Sequence, residues 1–434
     1  MRLYRALAAL ALAAYAPFAI LRSLTGGRRL GDLRGRLGRR PYPRLDGGLW
    51  IHGVSVGEIG VARNLLRALR RRLPDPALPI GISVTTAAGR ELAARTLSAE
   101  AVVFAFPFEL AGAVERSLDE TRPSLVVLIE TEIWPLFLER AAARSIPVAL
   151  VNGRISSRSF ARYRRIRGFL SRSLARIAFF AMQSREDADR IEALGAPPER
   201  VHDLGNLKYD LPEAPVFPDA DRLRRAASGR AVLVAGSTGE GEEELVLDAW
   251  TGLAPRPLLV LAPRRPERFD FVARLCASRG LRVLRRSDPE SQFRDPESET
   301  AFDVYLLDSI GELASAYRGA ALAFVGGSLI ATGGQNPIEA WAAGVPAIAG
   351  PHMENFREIA ARGESLGILE RARDSGDLAR RLAAALGSPA DTARRGAVAA
   401  RFVSENRGAA ERAADAILAL VPGLARRLVR EGAP

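Results

Sequence analysis

Of 434 residues one is cysteine (Cys276), one is lysine (Lys208) and three are histidine (His52, His202 and His352). A single thiol excludes an intrachain disulfide framework and a cysteine-built zinc cluster. Three histidines this far apart lack the ligand spacing of an imidazole metal site, so neither a metal nor a cofactor is expected. Aromatic residues make up only 6% of the chain, and the basic run Arg22–Arg44 holds one of them, Tyr42. Proteins that bind single strands interleave aromatic with basic side chains to stack the bases. That pattern is missing, so no nucleic-acid partner is expected, and a non-enzymatic nucleic-acid-binding protein is only a distant alternative. Of the 62 basic side chains all but Lys208 are arginine. A codon preference that converts dispensable lysines to arginine would spare a site where a compact ammonium cannot be replaced by a planar guanidinium. Chance retention at the surface is the alternative.

Hydrophobic content of 48% and charged content of 26% describe a globular chain, with length for about two domains. The net charge of +12 is uneven: residues 1–212 hold 33 basic against 20 acidic side chains. A basic first half implies an acidic partner, either nucleic acid or an anionic membrane surface. Ala6–Leu21 is an apolar run of 16 residues. As a helix it reaches about 24 Å, short of a hydrocarbon core of about 30 Å. Eight arginines between Arg22 and Arg44 follow at once, and such density keeps the following segment in the cytoplasm. Residues 1–22 therefore read as an uncleaved anchor, spanning or monotopic, on anionic lipid. A cleaved signal peptide and a buried core helix are the alternatives.

From Leu49 to Asp210 apolar strands alternate with amphipathic helices. Strands are expected at 49–54, 80–84, 101–105, 125–129, 148–151 and 178–182, with helices at 58–73, 89–97, 110–119, 136–144, 159–174 and 186–194. Asp210–Ala220 carries three prolines and no helical period, which marks a linker. The alternation then restarts, with strands at 231–235, 258–261, 281–284, 304–307, 322–325 and 347–349. The fold class is therefore α/β, two doubly wound Rossmann-like halves facing a cleft. The expected boundaries are 23–212 for the first domain, 213–220 for the linker and 221–434 for the second.

Several stretches carry chemistry. In Gly53–Gly60 a strand hands over to a helix, Gly57 is expected to free the backbone for the turn, and Glu58 arrives in the first helical turn. A carboxylate there lies where open α/β sheets bind ligands. It reads as the general base of a group transfer, or as an acid complementing the helix dipole. Glu130 and Glu132 end another apolar strand, with Arg154 and Lys208 as natural counter-charges; a structural ion-pair cluster is the alternative. In the second half, the small residues around Ser237 let backbone amides approach an anion. Pro263, Arg264 and Arg265 put guanidinium forks at a strand end. Gly326-Gly327-Ser328, then Gly333 to Glu339, reads as a nucleotide-binding loop. There Asn336-Pro337 starts a helix with proline at its first position, Ile338 follows, and Glu339 can accept hydrogen bonds from a ribose.

Eight blocks in order resemble the 3-deoxy-D-manno-octulosonic acid (Kdo) transferases of lipopolysaccharide synthesis. They are HGVSVGE (52–58), PSLVVLIETEIWP (123–135), VNGRIS (151–156), GNLKYD (205–210), GSTGEGEEE (236–244), APRRPERF (262–269), DSIGEL (308–313) and FVGGSLIATGGQNPIEA (324–340). The resemblance implies the two-domain GT-B architecture, CMP-Kdo as donor and the lipid A precursor as acceptor, at the cytoplasmic face of the bacterial inner membrane. It makes Glu58 the base and Glu130 and Lys208 the groups that stabilise the transition state. It carries CMP contacts onto Pro263, Arg264, Ile310, Gly311, Glu312, Asn336, Pro337, Ile338 and Glu339, with Ser237 also on the donor side. Ser55, Gly57, Glu132 and Arg154 fall on the acceptor or sugar side. Three positions depart from the family pattern: Gly239, Arg265 and Gln335 stand where histidine is usual. All three lie on the donor side, so a related transferase using another activated sugar on a lipid acceptor is the alternative.

Overall fold

Leu49–Gly53 (β1) is buried at every residue, because both faces of its sheet are covered. In the computed structural model, which describes residues 29–73, 75–288 and 302–423, β1 is the third strand of a seven-stranded parallel sheet. Its neighbours are Ile80–Val84 (β2), Val102–Ala105 (β3), Leu125–Ile129 (β4), Val148–Gly153 (β5), Phe179–Met182 (β6) and Val201–Asp203 (β7). The order is β3-β2-β1-β4-β5-β6-β7. The order in which successive strands are added reverses between β1 and β4, which pair in parallel from Leu49↔Leu125 to His52↔Leu128. That junction is the topological switch point, where such sheets open a crevice at their carboxyl ends. Strands covered on both faces read as unbroken apolar runs, and β4 is LVVLI with all five residues buried.

Alternate residues of β1 feed two cores. Leu49 and Ile51 pack with Ile59, Leu65, Leu66 and Leu69 of the helix Val56–Arg72. Trp50 faces the other way, among Phe106, Leu128 and Phe137. The helix Ala409–Ala419 joins the first of these cores through Ala409, Ala410, Ala413, Ala414 and Ile417. Chain contacts divide the protein into one unit ending at Asp210 and resuming at Asn406, and a second unit, Leu211–Glu405. This corrects the expected boundary of 221–434, since the last helix belongs with the first unit. The reason is its alanine-rich face, which lets it lie close against Val56–Arg72, and an acid that caps it. Asp210 accepts hydrogen bonds from the backbone of Gly408 at 2.5 Å and Ala410 at 2.6 Å. Arg72 adds ion pairs to Glu411 and Asp415.

The second unit repeats the plan. Its strands are Val232–Thr238 (β8), Leu258–Pro263 (β9), Val283–Arg285 (β10), Val304–Leu306 (β11), Leu322–Val325 (β12), Ala347–Ala349 (β13) and Leu369–Arg371 (β14). Their order is β10-β11-β9-β8-β12-β13-β14, all pairs parallel. The switch point falls between β8 and β12. Leu233, Ala235, Leu259, Leu261, Phe324 and Ile348 form the core of one face.

Two strands and one helix break differ from the sequence expectation. The edge strands β7 (VHD) and β14 (LER) have three residues each and no apolar run, so periodicity does not mark them. The helix expected over 159–174 is two, Ser157–Arg164 and Arg167–Leu174, parted where Ile166 leaves helical geometry. The anchor expected over 1–22 lies outside the described residues. Among the described residues no helix is long and apolar enough to cross a membrane.

Candidate active site

The turn from β1 into its helix is made by Ser55, in extended geometry at φ −119° and ψ 170°. This corrects the expectation for Gly57, which is already inside the helix. A Cβ at Gly57 would make only an ordinary contact, with Ser55 Oγ at 3.8 Å. What glycine supplies is a bare surface beside Glu58. Glu58, in the first turn, folds back: one carboxylate oxygen accepts from the Val54 amide at 2.5 Å and the other from the Ser55 hydroxyl at 3.0 Å. Ser-x-x-Glu at a helix start is the sequence form of a capping box, but the reciprocal bonds are not made: the Ser55 side chain caps no backbone amide, and Glu58 takes the Val54 amide and the Ser55 hydroxyl instead.

Glu58 is buried, 8% exposed. Burial raises its pKa from 4.5 to about 7, and the nearby charge of Glu130 adds to the rise. The Val54 amide, the Ser55 hydroxyl and Lys208 pull the other way without cancelling it. Glu132 is also raised to about 7, by burial first and then by the charge of Glu58. Two carboxyls with pKa values near neutrality stand together here, a signature more common at reacting sites than in structural ion pairs.

Glu130 ends β4 with φ at +60°, a conformation that costs a non-glycine residue on the order of 1 kcal/mol or more. Its amide is held by the Val151 carbonyl at 2.9 Å, and its carboxylate meets Lys208 Nζ at 2.9 Å. Lys208 sits in the short 3-10 turn Leu207–Tyr209. Three asparagines fix that turn: Asn64 donates to the Leu207 carbonyl, Asn152 accepts from the Leu207 amide, and Asn206 accepts from the Lys208 amide. Of the expected counter-charges, Lys208 pairs with Glu130. The Arg154 carbonyl accepts from the Thr131 hydroxyl. His52, the next-to-last residue of β1, is fully buried and stacked on Phe106 at 3.7 Å between ring centres. Burial pushes its pKa down to about 3, so it is a neutral core side chain.

In the second unit the expected donor residues lie at or follow the carboxyl ends of β8, β9, β11 and β12. Ser237, the next-to-last residue of β8, has φ at +57°, and its hydroxyl has no partner among the described residues. Gly326 must be glycine, since a Cβ there would sit 2.4 Å from the Ser237 carbonyl. Pro263 closes β9, and the Arg264 amide bonds to the Thr238 carbonyl at 3.0 Å. Arg264 and Arg265 are exposed and have no ion pair among the described residues. Ile310 is 70% exposed beside Gly311, at φ +93°. The Glu312 carboxylate is taken by Arg286, at 3.1 and 3.2 Å, and by Ser309, so its side chain is tied up within the protein. Asn336 accepts from the Ile338 amide at 3.0 Å, and the helix begins at Ile338 with Pro337 as its cap. That is one residue later than expected. Glu339 is half-buried in its first turn.

One expectation on this side is corrected. The amides expected to receive an anion are occupied by the protein's own Glu242. This carboxylate, with no exposed surface, accepts from the amides of Gly239 at 3.1 Å, Gly327 at 2.5 Å, Ser328 at 2.9 Å and Leu329 at 2.9 Å. A helix start and a glycine loop attract negative charge, and here the charge is built in. Glu242 was missed in sequence because its partners lie about 85 residues away. Among the described residues no cluster of side chains suits a metal ion.

A sequence model of the family described as 3-deoxy-D-manno-octulosonic-acid transferase (kdotransferase) matches residues 29–211. The chain is 35% identical to the 3-deoxy-D-manno-octulosonic acid transferase of Haemophilus influenzae over 394 residues, covering 89% of this chain and 90% of that one. It belongs to the Kdo transferase family. The protein is therefore a glycosyltransferase. Among solved structures, UDP-GlcNAc 2-epimerase from Neisseria meningitidis superposes at TM-score 0.54 and 11% identity, over 87% of this chain and 100% of that one. The glycotransferase of kitacinnamycin gives 0.50 at 16% identity, over 88% and 100%. These last two speak for the fold alone, a pair of parallel-sheet α/β domains of the GT-B kind.

The three departures from the usual Kdo transferase pattern are local. A side chain on Gly239 would meet Ile330 Cδ1 at 2.7 Å, so Ile330 fills the space where a histidine is usual. Gln335 lays its amide against Gly327, 2.9 Å from where a Cβ would stand. Arg265 adds a cation beside Arg264.

Proposed function

We propose that this Kdo transferase moves Kdo from CMP-Kdo to a hydroxyl of the lipid A precursor with inversion at the anomeric carbon, on the cytoplasmic face of the inner membrane. The observation that carries the chemistry is Glu58: a buried carboxyl at a switch point, oriented by Val54 and Ser55, with a pKa of about 7. A base is most useful when its pKa lies near the working pH, and general-base catalysis contributes roughly 10²–10⁴-fold. The acceptor oxygen attacks the anomeric carbon while its proton passes to Glu58. The bond from that carbon to the phosphate oxygen breaks, and CMP leaves as the anion. Lys208, steadied by Glu130, offsets charge that develops in the transition state. One displacement inverts the centre.

The donor assignment rests on family membership and on the second unit's exposed arginines, free Ser237 hydroxyl and exposed Ile310-Gly311 loop. The Ile310 side chain offers an apolar face to a base. The membrane assignment rests on the arginine excess of residues 1–212 and on the apolar run Ala6–Leu21. Incubation with CMP-Kdo and lipid A precursor, followed by mass spectrometry of the lipid and NMR of the new linkage, tests the reading. A mass gain of Kdo with inverted configuration is expected. Lipid unchanged by CMP-Kdo but extended with a UDP-sugar would favour the other-sugar reading, which Gly239, Arg265 and Gln335 motivate.

A further inference from the structure

At the opposite end of the second sheet from the donor residues lies a cavity of about 620 Å³. It opens where Val232 begins β8 and Ala321 precedes β12, beneath the helix Ala220–Ala227. That size falls within the roughly 300–1,000 Å³ of small-ligand sites. Its walls are Phe217, Leu223, Ala227 and Val232, and the 83%-exposed Val216 continues the apolar surface at the mouth.

We propose that this cavity binds a monoacyl phospholipid, its chain against the apolar walls and its phosphate against the arginines at the rim. Two observations select that chemistry. The lining includes Arg224, Arg230 and Arg318 and no acid. Arg224 also pairs with Asp221, and Arg230 bonds to the carbonyls of Ala226 and Ala227. Arg318 is exposed and has no partner among the described residues. Second, the walls away from those arginines are Phe217, Leu223, Ala227 and Val232, against which a wholly polar ligand would leave its own heteroatoms unpaired.

The test uses the full-length protein and native mass spectrometry with calorimetry. The probes are 16-carbon lysophosphatidate, the neutral monoacylglycerol of the same chain, and inorganic phosphate, each below its aggregation threshold. Expected is one saturable site for lysophosphatidate, at least about tenfold weaker binding of the neutral lipid, and no detectable phosphate binding. Arg318→Glu, an exposed change that leaves the core untouched, should weaken lysophosphatidate about tenfold or more. The variant should keep wild-type Kdo transfer. Equal binding of the neutral lipid, unchanged affinity in Arg318→Glu, non-saturating uptake, or a lipid-induced dimer covering the cavity would each overturn the proposal.

Discussion

Lys208 Nζ stands 2.9 Å from Glu130 Oε1, joining the one lysine of the chain to a residue in left-handed geometry at the end of β4. Neither partner is held casually: the lysine's turn is pinned by three asparagines, and the glutamate's backbone is strained. The pairing gives a physical reason for lysine to survive in an arginine-rich chain, since a planar fork reaching Glu130 would need a different approach. Lys208→Arg is therefore expected to keep the fold and the charge yet lower kcat by about 10²-fold, the scale of losing one positioned donor. Steady-state kinetics beside a thermal melt separates the two effects.

The pH dependence follows from the raised carboxyls. Glu58 must be ionised to accept a proton, so kcat/KM should climb as pH rises through about 7. Lys208 holds the Glu58 pKa down, so Lys208→Met should move that limb to higher pH in the residual activity.

Stability runs the other way. A carboxyl raised from 4.5 to about 7 binds more protons folded than unfolded across that window. Folding stability from Glu58 and Glu132 is therefore lost as pH rises from about 5 through 7. Glu58→Gln removes one such ionisation, and should raise stability at pH 8 by about 1–3 kcal/mol while leaving pH 5 little changed. Urea melts at the two pH values read this directly.

Much of this was legible in the sequence because parallel strands covered on both faces must be apolar throughout. Leu125–Ile129 and Leu322–Val325 have the same ends in sequence and in structure. Lys208 was legible through scarcity, and Glu58 through its place after a strand. What escaped were acids whose partners are distant in sequence. Glu242 looks like an ordinary first-turn glutamate, and Asp210 like the end of a linker. Their roles appear only when the chain returns to bring Gly327 and Gly408 against them.

Glu242 therefore yields its own prediction. In Glu242→Gln an amide NH2 is set against amides that were donating to a carboxylate, so the Gly326–Leu329 loop must shift. CMP affinity should fall about tenfold or more, with Glu58-dependent chemistry at saturating donor much less affected. A calorimetric titration with CMP reads the first quantity, and kcat the second.

Asp210→Ala should release the cap on Ala409–Ala419. Losing two hydrogen bonds at a helix start costs about 1–2 kcal/mol. Hydrogen exchange should show faster opening of that helix and of Val56–Arg72 beneath it, with the second unit unchanged.

The most direct measurement is Glu58→Gln assayed for CMP binding and for Kdo transfer in a single turnover. CMP affinity within about twofold of wild type, with transfer slowed by about 10²-fold or more, is the predicted result. Transfer at the wild-type rate by that variant would contradict the assignment of Glu58 as the base.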